Sequence, residues 1–240
     1  MSSGRNRHTR KDKEMNDKKM RIKGAIFDCD GTLVDSLGFW EIFYVKIGEH
    51  FFGGECFEPE SVDDKTMRTQ PVSFDAKLLH EKYGVGESAD EVAEWMIELF
   101  DWFYRECVEL KTGVRELLAH MKAQGIRMCI ASAAEPHLIR LVLGKHGVLD
   151  YFERIVTSSD VGAGKDKPDV FLEAERLLET PHDETWVFED SLLAISTAKT
   201  AGFHVVGVYD ACTFGQDRAE EISDVYVGSG SSFAELIPKI

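Results

Sequence analysis

The sequence predicts an α/β fold: a doubly wound parallel sheet, Rossmann-like in its core, with an inserted helical cap. Three observations lead there. Beyond about residue 110, short apolar strands alternate with amphipathic helices, which implies a parallel sheet covered on both faces. Between residues 37 and 109 the strand pattern disappears, and two aromatic-rich helical faces replace it. Finally, the residues able to carry chemistry fall at strand ends or in the loops after them. That edge is where open α/β sheets bind ligands.

The elements follow in order. Residues 22–27 read as a buried strand that runs into Asp28-Cys29-Asp30-Gly31. Trp40, Phe43, Tyr44, Ile47 and Phe51 then mark one helical face, and Val92, Trp95, Met96, Leu99, Phe100 and Phe103 a second. Ser88, with Glu91 three residues on, is a capping-box signature for the second face. Gly53, Gly54, Pro59 and Pro71 divide this region into loops. Asp35 and Ser36 are expected to be N-cap and hinge residues leading into it. A helix over 114–124, a strand over 126–131, a helix over 138–145 and a strand over 154–157 come next. Pro168 is expected at the first helical position of a helix reaching about residue 179. A strand over 185–188, a helix over 192–201 and a strand over 204–208 complete the series. The expected organisation is a disordered leader over 1–19, a core formed by 20–36 and 110–240, and a helical cap over 37–109.

The 240 residues suit one large domain or two modest ones, and the net charge is −15. Such an acidic chain is a poor partner for nucleic acid. It also repels anions at long range, so a phosphate substrate needs a few local cations and a metal. No stretch approaches the roughly 18 apolar residues of a membrane span. Cys29, Cys56, Cys107, Cys129 and Cys212 are odd in number and form no CxxC pair, which fits reduced thiols in a cytoplasmic protein. The leader is basic and nearly devoid of apolar residues, so it lacks both a core and the apolar segment of a secretory signal.

Asp28 and Asp30 are two apart at a strand end, so their side chains share a face. Adjacent carboxylates repel unless a cation or a proton separates them. A bound Mg²⁺ is the simplest resolution, since it takes carboxylate oxygens and leaves room for phosphate. Cys29 lies between them, points the other way, and reads as a core residue. Glu189 and Asp190 repeat the same logic at a later strand end, although they could equally cap the helix that follows. Ser132, after a buried strand, suits a phosphate-holding hydroxyl, with Ala133 and Ala134 keeping its loop narrow. Gly162-x-Gly164-Lys165 is followed by Asp166 where a P-loop requires Ser or Thr, so that reading is rejected.

Together, Asp28-Cys29-Asp30-Gly31-Thr32-Leu33-Val34-Asp35-Ser36, Ile130-Ala131-Ser132, Gly164-Lys165 before Pro168-Asp169-Val170-Phe171, and Phe188-Glu189-Asp190-Ser191 resemble the four motifs of the haloacid dehalogenase superfamily. The insert after the first motif is similar to the cap of its phosphatase and β-phosphoglucomutase branch. The resemblance implies Asp28 as a nucleophile forming an aspartyl-phosphate. It implies Asp30 as general acid and base, with its backbone carbonyl on the metal. Lys165, rather than Lys167, matches the charge-stabilising lysine. The expected metal set is Asp28, Asp30, Glu189 and Asp190. Gly31, Thr32, Ser132, Ala133 and Lys165 are expected to hold phosphate.

Trp40, Arg68 and Lys77 are candidate specificity residues in the cap, and Lys46 is a further cation there. Resembling β-phosphoglucomutases carry a proton-moving histidine where this chain has Trp40, which favours hydrolysis over phosphoryl transfer between substrate positions. The expectation is a Mg²⁺-dependent phosphatase acting on a small phosphorylated metabolite, plausibly a sugar phosphate. A β-phosphoglucomutase-like phosphotransferase and a non-catalytic binder of phosphometabolites are the alternatives. A monomer or weak dimer is expected, with no nucleic-acid or membrane partner.

Overall fold

The structure, a computed structural model, describes residues 19–67 and 72–240. Six parallel strands form one sheet in the order β5-β4-β1-β6-β7-β8. They are β1 (Gly24–Phe27), β4 (Arg127–Ser132), β5 (Arg154–Thr157), β6 (Thr185–Glu189), β7 (His204–Val208) and β8 (Val225–Val227). The chain leaves β1 on one side through β4 and β5, then crosses to the other side for β6, β7 and β8. The winding therefore reverses at β1, and a crevice opens at its carboxyl end. Register holds the neighbouring ends level: Phe27 pairs with Ile130 on one side and Phe188 on the other.

Strand alternation sorts the core onto two faces. Ile26, Cys129, Val187 and Val205 pack beneath α8 (Asp169–Leu178), α9 (Leu192–Thr200) and α10 (Gln216–Ile222). Ala25, Phe27, Met128, Ile130 and Phe188 face the opposite side with α5 (Val114–Ala123) and α6 (Pro136–Lys145). Phe27 stacks on Phe188 with ring centroids 4.2 Å apart, fixing β1 against β6 below the crevice. A short helix, α7 (Ser158–Val161), follows β5 and is closed at its start by a capping box between Thr157 and Asp160.

Among the described residues, four helices fall between the two-residue strands β2 (Val34–Asp35) and β3 (Glu109–Leu110), which pair antiparallel as a short ribbon. They are α1 (Phe39–Phe51), α2 (Ser61–Met67), α3 (Val72–Tyr83) and α4 (Ala89–Glu106). The aromatic faces read from the sequence meet here: Phe39 stacks on Phe100 at 4.2 Å, and Phe43 lies 5.9 Å from Trp95. Ser88 caps α4 by accepting the Glu91 N–H, but the Glu91 carboxylate turns to the Glu87 N–H, so the capping box is only half formed. The buried residues of these helices belong to the same apolar cluster as the α5/α6 face of the sheet.

Several local expectations need correction. Asp35 lies in β2 and Ser36 follows it, while the residue that caps α1 is Gly38. Asp35 was expected as an N-cap, but the ribbon takes it first. Pro168 stands at the N-cap of α8, one residue before the first helical position. The ribbon strands, β8 and α10 went unpredicted. Two- and three-residue strands are too short to show a period, and α10, Gln-Asp-Arg-Ala-Glu-Glu-Ile, buries only Ala219. Of the leader, only Lys19 lies within the described residues.

Candidate active site

The site forms where β1 ends. Asp28 follows Phe27 directly, and its N–H donates to the Phe188 carbonyl at 2.9 Å, which fixes its backbone to β6. The chain then turns back at once. Leu33 and Val34 both donate to the Cys29 carbonyl, and Gly31 adopts a φ of +78°. That left-handed value favours glycine, and the surroundings demand it: a Cβ at position 31 would lie 2.7 Å from Asp190 Oδ2. The tight turn therefore brings the first motif against the last.

Three carboxylates converge at this point. Oxygens of Asp28, Glu189 and Asp190 all lie within 4.8 Å of one another, and all three residues are buried. Lys165, reaching in from the loop before α8, donates to Asp28 Oδ1 and, at 2.7 Å, to Glu189 Oε2. Burial works to lower the ammonium pKa, but Asp28 and Glu189 outweigh it and raise the net value. The carboxyls of Glu189 and Asp190 are both pushed upward, first by burial and then by the charge of Asp28. Three carboxylates beside one ammonium carry an excess of two negative charges when fully ionised. An all-oxygen donor set with that deficit fits a hard divalent cation such as Mg²⁺.

Asp190 is gripped on both oxygens. Thr32 Oγ1 donates to Oδ1 at 2.9 Å, and Thr213 Oγ1, from the loop after β7, donates to Oδ2 at 2.7 Å. Thr32, expected among the phosphate contacts, thus commits its hydroxyl to Asp190. Ser132 is buried at the end of β4, and its Oγ accepts the Ala134 N–H at 3.1 Å, leaving the hydroxyl proton to donate elsewhere. Ala133 beside it is exposed.

The carboxyl of Asp30 stands apart from the three-carboxylate group. Its Oδ1 accepts from Ser36 Oγ and from the Tyr104 hydroxyl, each at 2.6 Å. Burial first, then the charge of Asp28, raises its pKa, and the bonds from Ser36 and Tyr104 oppose the rise. A carboxyl biased towards its protonated form suits a proton donor. Cys29 is fully buried in the apolar cluster, and burial drives its thiol pKa well up, so it is no nucleophile.

Of the cap candidates, Trp40, Lys77 and Lys46 lie among the described residues. Trp40 packs edge-on to Phe39 and Phe43. Lys77 is exposed and pairs with Glu81 one turn on, at 3.8 Å. Lys46 pairs with Glu49 at 2.7 Å and lies over the Trp102 ring. Arg68 lies outside the described residues. Lys167, the rival of Lys165, is exposed. Sequence reasoning missed Tyr104 and Thr213. Tyr104 follows Phe103 on an apolar helix face and reads as core. Its signal was the polar tip, since a buried tyrosine hydroxyl needs a partner.

A reversal-point crevice with three carboxylates that could hold a metal ion, and a lysine among them, defines a class by fold and site: α/β proteins with an acidic centre at the carboxyl edge of a parallel sheet. The family model of the haloacid dehalogenase-like hydrolases matches residues 22–202, and the chain belongs to that family. It is 31% identical over 201 residues to (DL)-glycerol-3-phosphatase 1, mitochondrial, of Arabidopsis thaliana, covering 79% of this chain and 65% of that protein. It is 31% identical over 192 residues to hexitol phosphatase A of Escherichia coli, covering 79% of this chain and 84% of that one. The chain spans about half the length, 48%, of an Arabidopsis bifunctional riboflavin kinase/FMN phosphatase that is 29% identical over 191 residues. In fold, it resembles CbbY from Rhodobacter sphaeroides, solved in complex with phosphate, with a TM-score of 0.71 at 23% identity over 90% of this chain and 96% of that one. Among the described residues, no helix is long and apolar enough to cross a membrane.

Proposed function

We propose that this chain is a Mg²⁺-dependent phosphatase that hydrolyses a small phosphomonoester of a polyol or sugar through an aspartyl-phosphate on Asp28. The observation that carries the reading is Lys165 seated between Asp28 and Glu189, with Asp190 completing a buried oxygen cluster. Asp28, Glu189, Asp190 and the Asp30 carbonyl would hold the ion. When bound, Mg²⁺ neutralises charge on the phosphoryl group and on the acids around it.

Asp28 attacks phosphorus while Lys165 steadies its carboxylate and the phosphoryl oxygens. Ser132, with the backbone N–H groups of Thr32 and Ala133, orients those oxygens, while the Gly31 N–H closes the turn on the Val34 carbonyl at 2.9 Å. Asp30 gives a proton to the departing alcohol and then takes one from the water that cleaves the aspartyl-phosphate. Residues 37–109 act as a cap over the core of 20–36 and 110–240, excluding bulk water when closed. Trp40 supports hydrolysis over a mutase reaction, because an indole has no proton to exchange near neutral pH. The phosphatase names of the relatives support a polyol or sugar phosphate as substrate. A cytoplasmic monomer or weak dimer fits the reduced cysteines and the acidic surface.

The test is phosphate release from a panel holding glycerol 3-phosphate, hexitol phosphates and β-glucose 1-phosphate, with Mg²⁺ and with EDTA. Turnover that needs Mg²⁺ and is lost in Asp28→Asn is expected. Conversion of β-glucose 1-phosphate to glucose 6-phosphate without phosphate release would favour a mutase, and no turnover of any ester would favour a binding protein.

A further inference from the structure

The Tyr104 hydroxyl crosses from the last turn of α4 to Asp30 Oδ1 at 2.6 Å, and Ser36 Oγ reaches the same oxygen at the same distance. The two donors stand on the two connections between sheet and helices. Ser36 follows β2, Tyr104 precedes β3, and β2 and β3 form the ribbon that joins the layers. One oxygen of Asp30 is thus fixed from both connections. Among the described residues, Oδ2 accepts no hydrogen bond.

A phenylalanine at position 104 would fill the same space on a face shared with Val92, Met96, Leu99 and Phe103. The hydroxyl there is buried, with Tyr104 only 6% exposed, so it must be desolvated to make this one bond. A donor cannot be accepted by a protonated oxygen as readily as by a bare one. Two donors on Oδ1 therefore leave Oδ2 as the oxygen that carries the proton.

We propose that Tyr104 is a positioning residue: from the helical insert it fixes the Asp30 carboxyl so that Oδ2 delivers and collects the proton. This rests on the reading of Asp30 as general acid and base. In the first half-reaction Asp28 forms the new P–O bond, the ester P–O bond breaks, and the Oδ2 proton passes to the departing alkoxide. In the second, water adds to phosphorus, its proton returns to Oδ2, and the P–O bond to Asp28 breaks. Tyr104 keeps its own proton throughout.

The test compares phenyl phosphate with p-nitrophenyl phosphate, both with Mg²⁺. The nitro group stabilises the departing phenolate, so that ester needs little protonation, while phenolate needs more. In Tyr104→Phe the ratio of kcat/KM for phenyl over p-nitrophenyl phosphate, which reads only the steps up to the aspartyl-phosphate, is expected to fall about tenfold, part of the roughly 100-fold or more that general acid catalysis supplies. Asp30→Asn is expected to lower the ratio further. Phe103→Leu, next door in the same helix, is expected to lower the melting temperature and leave the ratio unmoved. A ratio kept by Tyr104→Phe but lost in Asp30→Asn would overturn the role of Tyr104 alone. Equal losses of kcat/KM on both esters in Tyr104→Phe would make the residue merely structural and overturn it too. A ratio unmoved in Asp30→Asn would instead overturn the acid–base reading of Asp30.

Discussion

Lys165 Nζ lies 2.7 Å from Glu189 Oε2 while also donating to Asp28, so a single ammonium ties the loop before α8 to the ends of both β1 and β6. Residues 137 positions apart in the chain meet there. Substituting Lys165→Met removes the only positive charge found against these acids among the described residues. Loss of one preorganised charge at a developing oxyanion costs about 100- to 1,000-fold in kcat. Phosphate-release kinetics at saturating Mg²⁺ should show a drop of that size, and Lys165→Arg should not restore it, because a planar guanidinium does not fit where a compact ammonium bridges two buried carboxylates.

Gly31→Ala strikes the turn from two directions. Its φ of +78° is unfavourable for alanine, and the new Cβ would meet Asp190 Oδ2 at 2.7 Å. Backbone strain alone costs about 1–2 kcal/mol. Thermal unfolding should report that loss of stability, and a Mg²⁺ titration of activity should shift to higher concentration as Asp190 is displaced.

Thr213→Val keeps the shape of the side chain and removes the donor to Asp190 Oδ2. A group that orients a metal-holding carboxylate is worth about 10- to 100-fold in metal affinity. The concentration of Mg²⁺ giving half-maximal activity should rise by that factor, with kcat largely recovered at excess metal. Thr32→Val, which frees Oδ1, should act the same way.

Asp75, in the first turn of α3, is 2% exposed, and its Oδ1 has no hydrogen-bond partner among the described residues. Burial pushes its carboxyl up to about 8. The folded-state value thus lies above the ordinary carboxylate value of about 4 that the unfolded chain retains. In that window the folded chain binds the extra proton, so stability is full below pH of about 4 and declines as pH rises towards 8. Asp75→Asn should match the parent protein at pH 4 and exceed it by several kcal/mol at pH 9. Urea unfolding at the two pH values checks this, and an equal gap at both would contradict it.

Much of this architecture could be read from the chain. The β1 strand, the Asp28–Asp30 turn, and the strands ending at Ser132 and Glu189 all have apolar runs long enough to register. The register of a parallel sheet then brings their ends together. What escaped detection depended on distance through space. Thr213 sits in a loop after β7 with no local pattern, and only the fold carries it to Asp190. Tyr104 looked like one more apolar residue of α4 because helical periodicity reports a face and says nothing of what the tip of a side chain touches. Asp35 reads as an N-cap from sequence although it lies in β2, since a two-residue ribbon strand leaves no period. Lys77, paired with Glu81 on α3, offers no signal in charge alone that separates a substrate contact from a surface ion pair.

Everything in the mechanism passes through a covalent bond between phosphorus and Asp28. The direct measurement is to mix the protein and Mg²⁺ with an excess of the best ester from the panel, quench in acid within one turnover, reduce with borohydride and map the peptides by mass spectrometry. An acyl-phosphate at Asp28 is reduced to homoserine, so conversion of residue 28, absent without substrate, is the result expected. Turnover with residue 28 unmodified, or with the modification on another acid such as Glu189, would contradict the account.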